Sequence, residues 1–394
     1  MSLVDAKPPL PPYLAGATDL SLAVLVALSH TLPAPLLAAG FVAFTVLSSY
    51  GWQYTVGDAW LDYGVGGTFM IGIFTAVQFL FLSDTLTTIH HKDDRGPALQ
   101  KPFLSRVWWA LCLKQNIRGI GWNIENAHIP PASKTSRRHF VLVSLARAAV
   151  YWLIADVSQA YLHANPLFSL RGPDAVPITS QGPFLQALNI IAWWATPYGL
   201  TGLAHSLLAA SSVAVGMYPP SAWPAFFGAW SDAYTLRRFW SRTWHHLVRR
   251  ICVAYGKAVA RALALKPGTK ASAYTQLYVA FIVSSIVHSV GDYTIDPARM
   301  GTSAPFFLIQ AVVITAEDAA IGLGRMAGLR GSRAWKLLGY VWVAGWFFVM
   351  VPPLSWMYAY GVGEVLPGSI IRPLWRAWGP RLEIDWKVPV NAQY

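Results

Sequence analysis

The sequence predicts an all-α, polytopic membrane protein of about eight or nine spans, and three observations predict it. Charged residues are only 12% of the 394, about half the roughly 25% of a soluble domain. Hydrophobic residues reach 55% and mean hydropathy is +0.40, which excludes a disordered chain. The apolar residues are gathered into long runs, accompanied by 19 Trp and 17 Tyr, the residues that favour the two membrane interfaces.

The runs fall at about 18–31, 34–50, 66–83, 140–157, 184–214, 274–291, 304–323, 337–351 and 353–367. The first two are short and joined through Leu32–Pro33–Ala34–Pro35, which predicts a tight hairpin or a partly interfacial pair. Run 184–214 is longer than one straight crossing of a ~30 Å core and holds Pro197, so a kinked or broken helix is expected. Residues 1–15 read as a tail, 16–370 as a single transmembrane domain and 371–394 as a second tail. The N-terminus lacks the features of a cleavable signal: it has three prolines before residue 13 and an acid just before the apolar run.

Loop charge orients these runs. Net charge is +12, and 22 of the 30 Lys and Arg lie in segments 84–138, 231–270 and 325–336. The loops between them hold almost none. Basic loops face the cytosol, so these three do, which explains the charge without nucleic acid. Cys112 and Cys252 fall in those cytosolic segments and outside any CxxC or Cys/His cluster, so neither a disulfide nor a metal is expected. Two segments read as helices lying on the cytosolic face: 101–114, with apolar residues at helical spacing, and 233–265, where basic and aromatic residues interleave without Pro.

A few polar residues stand out. His288 lies near the end of an apolar run, where a titratable group is costly and points to function; the alternative is a packing histidine bonded to a neighbouring helix. His245 and His246 follow Trp244 without further ligands at helical spacing, so the choice there is between lipid contact and an anionic cofactor held by Arg237, Arg238, Arg242, Arg249 and Arg250. His90 and His91 read as a solvated loop edge, and His30 and His205 as structural. Asp156, Glu317 and Asp318 are acids within runs; the last two are adjacent and point about 100° apart on a helix. Segment 116–131 mixes Arg118, Asn123 and Glu125 with Gly and Trp, which suits a binding loop or a re-entrant connector.

Three motifs in order resemble the fungal wax-synthase-like branch of the membrane-bound O-acyltransferases. They are RGIGWN (Arg118–Asn123), FWSRTWH (Phe239–His245) and a histidine near the end of the following span, His288. Trp223–Gly228 and Phe306–Ala319 are similar to the family as well, so the likeness covers about 100–320. Ser241 stands where the family has Gly, and Thr243 where it has a further Arg, which bears on the cofactor contacts. The resemblance implies an MBOAT-like fold in the endoplasmic reticulum membrane, with the catalytic basic loops facing the cytosol. It implies acyl transfer from acyl-CoA, most readily acetyl-CoA, to a hydrophobic alcohol such as a terpenoid. His288 is then the general base, and His245 or Trp244 positions the thioester. Arg118, Asn123, Arg238, Trp240, Arg242 and Trp244 are the expected cofactor contacts. His288 lies about 14 residues, or about 21 Å, into its span, so a tunnel from the 237–250 face is expected. Long-chain wax ester synthesis is the alternative within this class. Outside it stand a terpene cyclase or isomerase using Asp156, Glu317 and Asp318, and a transporter, which the absence of repeats disfavours.

Overall fold

A computed structural model describes residues 7–170, 172–329, 331–360, 362 and 369–378. The described chain is helical throughout, apart from two isolated β-bridges. In order the α-helices are α1 Leu14–Leu28, α2 Ala34–Tyr50, α3 Ala59–Val77, α4 Thr85–Thr88, α5 Phe103–Gln115, α6 Arg137–Ala164 and α7 Gly182–Ala214. They continue as α8 Leu236–Arg238, α9 Arg249–Ala262, α10 Lys270–Ile295, α11 Ala304–Met326, α12 Arg333–Met350 and α13 Ile371–Trp378.

Among the described residues, five helical stretches are long and apolar enough to cross a membrane: Ala34–Gln53, Ala59–Leu82, Arg137–Ala164, Lys270–Ile295 and Pro297–Met326. A sixth is gained if Arg333–Met350 and Pro352–Tyr360, bent by 46°, count as one span. Length and composition single out fewer helices than the expected eight or nine spans, for identifiable reasons. α1 has only 15 residues, too few for a ~30 Å core. α7 runs unbroken through Pro197 for 33 residues, long enough to cross, and its Gln, Asn, Thr and His lower its mean hydropathy. The last two runs meet in the bent pair, and part of 353–367 lies outside the described residues. So do residues 1–6 of the first tail and 379–394 of the second.

The chain divides into two compact units. The first comprises Met1–Gly57, Leu61–His128 and His246–Arg330. One core there joins Leu22, Val26, Phe44, Phe79, Leu86, Trp109, Leu113 and Trp122, where α1 lies against α5. α10 packs against both α9 and α11. Small residues let α3 approach α10: a Cβ on Gly66 would stand 2.0 Å from Thr294 Oγ1 and 2.9 Å from the Val290 carbonyl oxygen.

The second unit comprises Asp58–Trp60, Ile129–His245 and Gly331–Tyr394. α6 and α7 form its principal pair. Gly199 and Gly202 make their close approach possible, since a Cβ at either would enter Tyr151, in its backbone or its ring. Asp156 on α6 is buried and accepts from the backbone N–H of Ile370 and Ile371 at 3.0 and 3.1 Å. It thereby satisfies the orphan donors at the start of α13.

The expected helix over 101–114 is present as α5. The expected continuous helix over 233–265 is not. It breaks after Thr243, where Trp244 turns extended at ψ 161°. That turn delivers the indole into a cluster with Trp194, Phe227 and Phe239, at ring separations of 5.4, 5.5 and 5.7 Å. Aromatic burial outweighs the one turn of helix forgone.

Candidate active site

In the first unit, α10 carries His288 18 residues beyond Lys270, about 27 Å along the helix. Its side chain is half-buried. The imidazole stacks on Phe307 of α11, with centroids 3.9 Å apart and planes inclined by 4°. On its other side Tyr63 of α3 reaches the ring, with Oη 2.9 Å from Nδ1. Stacking fixes the ring plane and the hydrogen bond fixes its rotation about χ2. Tyr63 Oη also donates to Ser303 Oγ at 3.3 Å. Ser303, which precedes α11, donates its hydroxyl to Asp292 Oδ1 at 2.5 Å and its backbone N–H to Oδ2 at 2.8 Å. Asp292 is fully buried, four residues and one turn from His288 on the same face. Gly291 makes room for this arrangement: a Cβ there would stand 2.7–3.0 Å from the Tyr63 ring.

The RGIGWN loop also belongs to the first unit. Gly119 and Gly121 adopt φ of 70° and 79°, and a Cβ on Gly121 would lie 2.6 Å from His91 Nε2. Asn123 is a latch: its Nδ2 donates to the Thr88 carbonyl at 2.8 Å, and its Oδ1 accepts from the His90 N–H. Arg118 is buried; loss of water lowers its pKa to about 10, opposed by Glu125. Two clamps hold the loop to the start of α9. Arg250 Nη1 donates to the carbonyls of Leu113 and Asn116 at 2.9 and 3.1 Å, with its guanidinium over Phe79. Asn126 Nδ2 donates to the His246 carbonyl at 3.1 Å. Burial lowers Arg250 to about 10, so both arginines stay cationic at neutral pH.

Between loop and helix lies a pocket of about 450 Å³, lined by Asn123–Ala127 on one side and Arg249, Lys257 and Arg261 on the other. The three cations recur at helical spacing along one face of α9. α9 itself approaches α10 closely: a Cβ on Gly256 would stand 3.0 Å from Gln276. His288 is 12 residues further along α10, about 18 Å.

In the second unit, the FWSRTWH stretch builds an aromatic lattice. Trp240 packs on Phe239 and Phe347. Gly228 lets Trp223–Gly228 lie against this stretch: its N–H donates to the Thr243 carbonyl at 3.0 Å, and a Cβ there would overlap the Arg242 carbonyl. Arg238 is engaged locally, paired with Asp232 and lying 4.4 Å over the Tyr234 ring. Arg242 is half-buried. His245 packs against Trp244 and Phe226. Burial drives its pKa down to about 4, so it is neutral at pH 7. Its Nδ1 is buried and has no hydrogen-bond partner among the described residues.

The other sequence candidates take structural places. His30 pairs with Asp84 at 2.8 Å, His205 packs against Trp223 and Phe226, and Asp318 accepts from Tyr274 Oη. Sequence reasoning missed Tyr63, Ser303, Lys257 and Arg261. It also passed over Asp292, although the His288–Asp292 spacing of one turn was a signal.

A helical membrane protein with a histidine anchored among apolar spans, and a cationic pocket lined by the helix packed against that histidine's own, belongs to a class of integral membrane proteins equipped to take an anionic cofactor. The family model described as the membrane bound O-acyl transferase family matches residues 223–309, a stretch holding Trp223–Gly228, FWSRTWH, His288, Asp292 and Ser303. The chain is 32% identical to the acetyltransferase ple2 of Rhodocybe pseudopiperita, over 90% of this chain and 92% of that protein. It is 30% identical to the acetyltransferase sirH of Emericella nidulans, over 88% and 82%, and to the O-Mevalon transferase yanI of Aspergillus niger, over 65% and 63%. No solved structure matches. The chain belongs to the membrane-bound O-acyltransferase family, among its fungal acetyltransferase-like members, and is an acyltransferase.

Proposed function

We propose that this enzyme transfers the acetyl group of acetyl-CoA to a hydroxyl of a terpenoid or similar hydrophobic secondary metabolite, in the endoplasmic reticulum membrane with its basic loops in the cytosol. The observation that carries the mechanism is His288, locked between Phe307 and Tyr63 inside the family-matched stretch. The imidazole takes the hydroxyl proton as the oxygen attacks the thioester carbonyl. The C–S bond then breaks, and the proton passes from the imidazolium to the departing thiolate. A half-buried base limits competing hydrolysis. His245, neutral and with a buried Nδ1, serves to hold the thioester or its oxyanion. The CoA phosphates sit in the pocket of Arg249, Lys257 and Arg261 with Asn123, which moves the expected cation set toward the C-terminal part of α9. Arg118 belongs to the loop that forms one wall of this pocket, and the cofactor contacts expected of Trp240, Arg242 and Trp244 rest on the family resemblance.

Long-chain wax ester synthesis remains the second reading within the class. The cyclase reading loses one of its acids, because Asp156 is engaged at the start of α13. The test supplies acetyl-CoA or palmitoyl-CoA with a panel of terpenoid and fatty alcohols to microsomes carrying wild type or His288→Ala. Acetyl esters from wild type alone are expected. Palmitoyl esters would move the enzyme to wax synthesis, and equal activity in the variant would remove His288 from the chemistry.

A further inference from the structure

The geometry points to Tyr63, Ser303 and Asp292 as positioning residues that hold His288 in its Nδ1–H tautomer, so that Nε2 is the atom that takes the acceptor's proton. This rests on the reading of His288 as the base, and the proton count around it supplies the rest. Ser303 commits its one hydroxyl proton to Asp292, 2.5 Å away. Its Oγ therefore accepts from Tyr63, at 3.3 Å. That commits the one Tyr63 proton, so toward His288 the phenol oxygen accepts, and Nδ1 at 2.9 Å carries the hydrogen. A neutral imidazole has a single N–H, which leaves the lone pair on Nε2. When Nε2 gains the acceptor's proton, Nδ1–H keeps its bond to Tyr63, and the cation is felt by the Asp292 carboxyl at the far end of the chain. No proton leaves through the relay; the one gained at Nε2 goes on to the CoA thiolate.

Among the described contacts, the titratable groups linked to His288 include Tyr63 from α3 and Asp292 from its own helix. α11 contributes Phe307, and Ser303 precedes it; neither titrates. α9 meets α10 at Gln276 and Ala280, and its Ile251 and Cys252 share an apolar cluster with Val283 and Val287, where the Cys252 thiol donates to the Ala280 carbonyl.

The test begins with full-length protein carrying 15N-labelled histidine in liposomes, observed by solid-state NMR, with His288→Gln identifying the signal. The expected result is an Nδ1–H tautomer in wild type and a change to Nε2–H in Tyr63→Phe. An Nε2–H tautomer in wild type would overturn the proposal, as would one tautomer shared by wild type, Tyr63→Phe and Asp292→Asn. This arm needs no acceptor. The second arm measures kcat against pH with acetyl-CoA and the best alcohol of the panel. Asp292→Asn is expected to lower kcat at least about tenfold and to leave KM for acetyl-CoA within about twofold. It should also move the acid limb to lower pH, because an imidazolium without its distant anion is harder to form. Ser303→Ala should act in the same direction. A kcat loss with the acid limb unmoved would mean a merely structural role and would also overturn the proposal. Full activity in His288→Ala beside an Nδ1–H signal in wild type would sink the base assignment while sustaining the tautomer.

Discussion

At the scale of single residues, the hydrogen atom of Gly291 is what gives Tyr63 its place. Gly291→Ala puts a carbon 2.7 Å from the phenol ring and must push it away from His288. We expect acyl transfer to fall at least about tenfold while the melting temperature in detergent drops by only a few degrees, as an overpacking cost of about 1–3 kcal/mol implies. Parallel esterification and thermal-shift assays check this. His245 makes a pH prediction. Its folded pKa is depressed to about 4, so between about 6.5 and 4 the unfolded chain binds the extra proton. Stability is therefore fully present above pH 6.5 and lost as pH falls toward 4, by at most about 3 kcal/mol. In His245→Phe the difference in melting temperature between pH 7.5 and pH 5 should shrink. His288 was legible in the sequence because a titratable group among apolar residues stands out. Tyr63 was not: a tyrosine in a span resembles any interfacial aromatic, and only the fold brings it 225 positions along the chain to its partner.

At the scale of elements, α9 divides its cations by task. Arg250 points into the protein and binds two carbonyls, whereas Lys257 and Arg261 are exposed at the pocket. Arg250→Met leaves the Leu113 and Asn116 carbonyls without this donor, at a cost of about 1–3 kcal/mol. Limited proteolysis should then cut the 116–128 loop faster than in wild type. Lys257→Glu with Arg261→Glu should instead leave the melting temperature unchanged and raise KM for acetyl-CoA, with a weaker salt dependence than wild type. The sequence showed the cations on this segment but treated 233–265 as one helix. The break at Trp244 was hidden because it comes from aromatic partners in α7 and in the Trp223–Gly228 stretch rather than from Pro or Gly. Likewise the RGIGWN block stood out as a polar, glycine-rich loop, but not the two clamps that press it onto α9.

At the scale of the whole molecule, loop charge predicts which loops meet the cytosol, and chemical labelling tests it. In a Cys112→Ser background, Ser133→Cys should react with a membrane-impermeant maleimide added to intact microsomes, and Thr302→Cys only after permeabilisation. The reverse pattern would invert the topology. Composition and run length made the helical membrane class legible. The expected eight or nine spans exceed the five or six that length and composition single out among the described residues, because hydropathy cannot distinguish a 15-residue helix or a bent pair from a crossing. The link between Tyr63 and His288 also sets an order in time. At about 5–20 residues per second, the ribosome needs roughly 11–45 s to travel the 225 residues between them. α3 must wait in the bilayer for its partner over that interval, with the phenol unmatched. With His288 as the proposed base, activity is expected to arrive late and all at once during biosynthesis, and a nascent chain halted before α10 inserts is expected to be inert, however completely its earlier helices have formed.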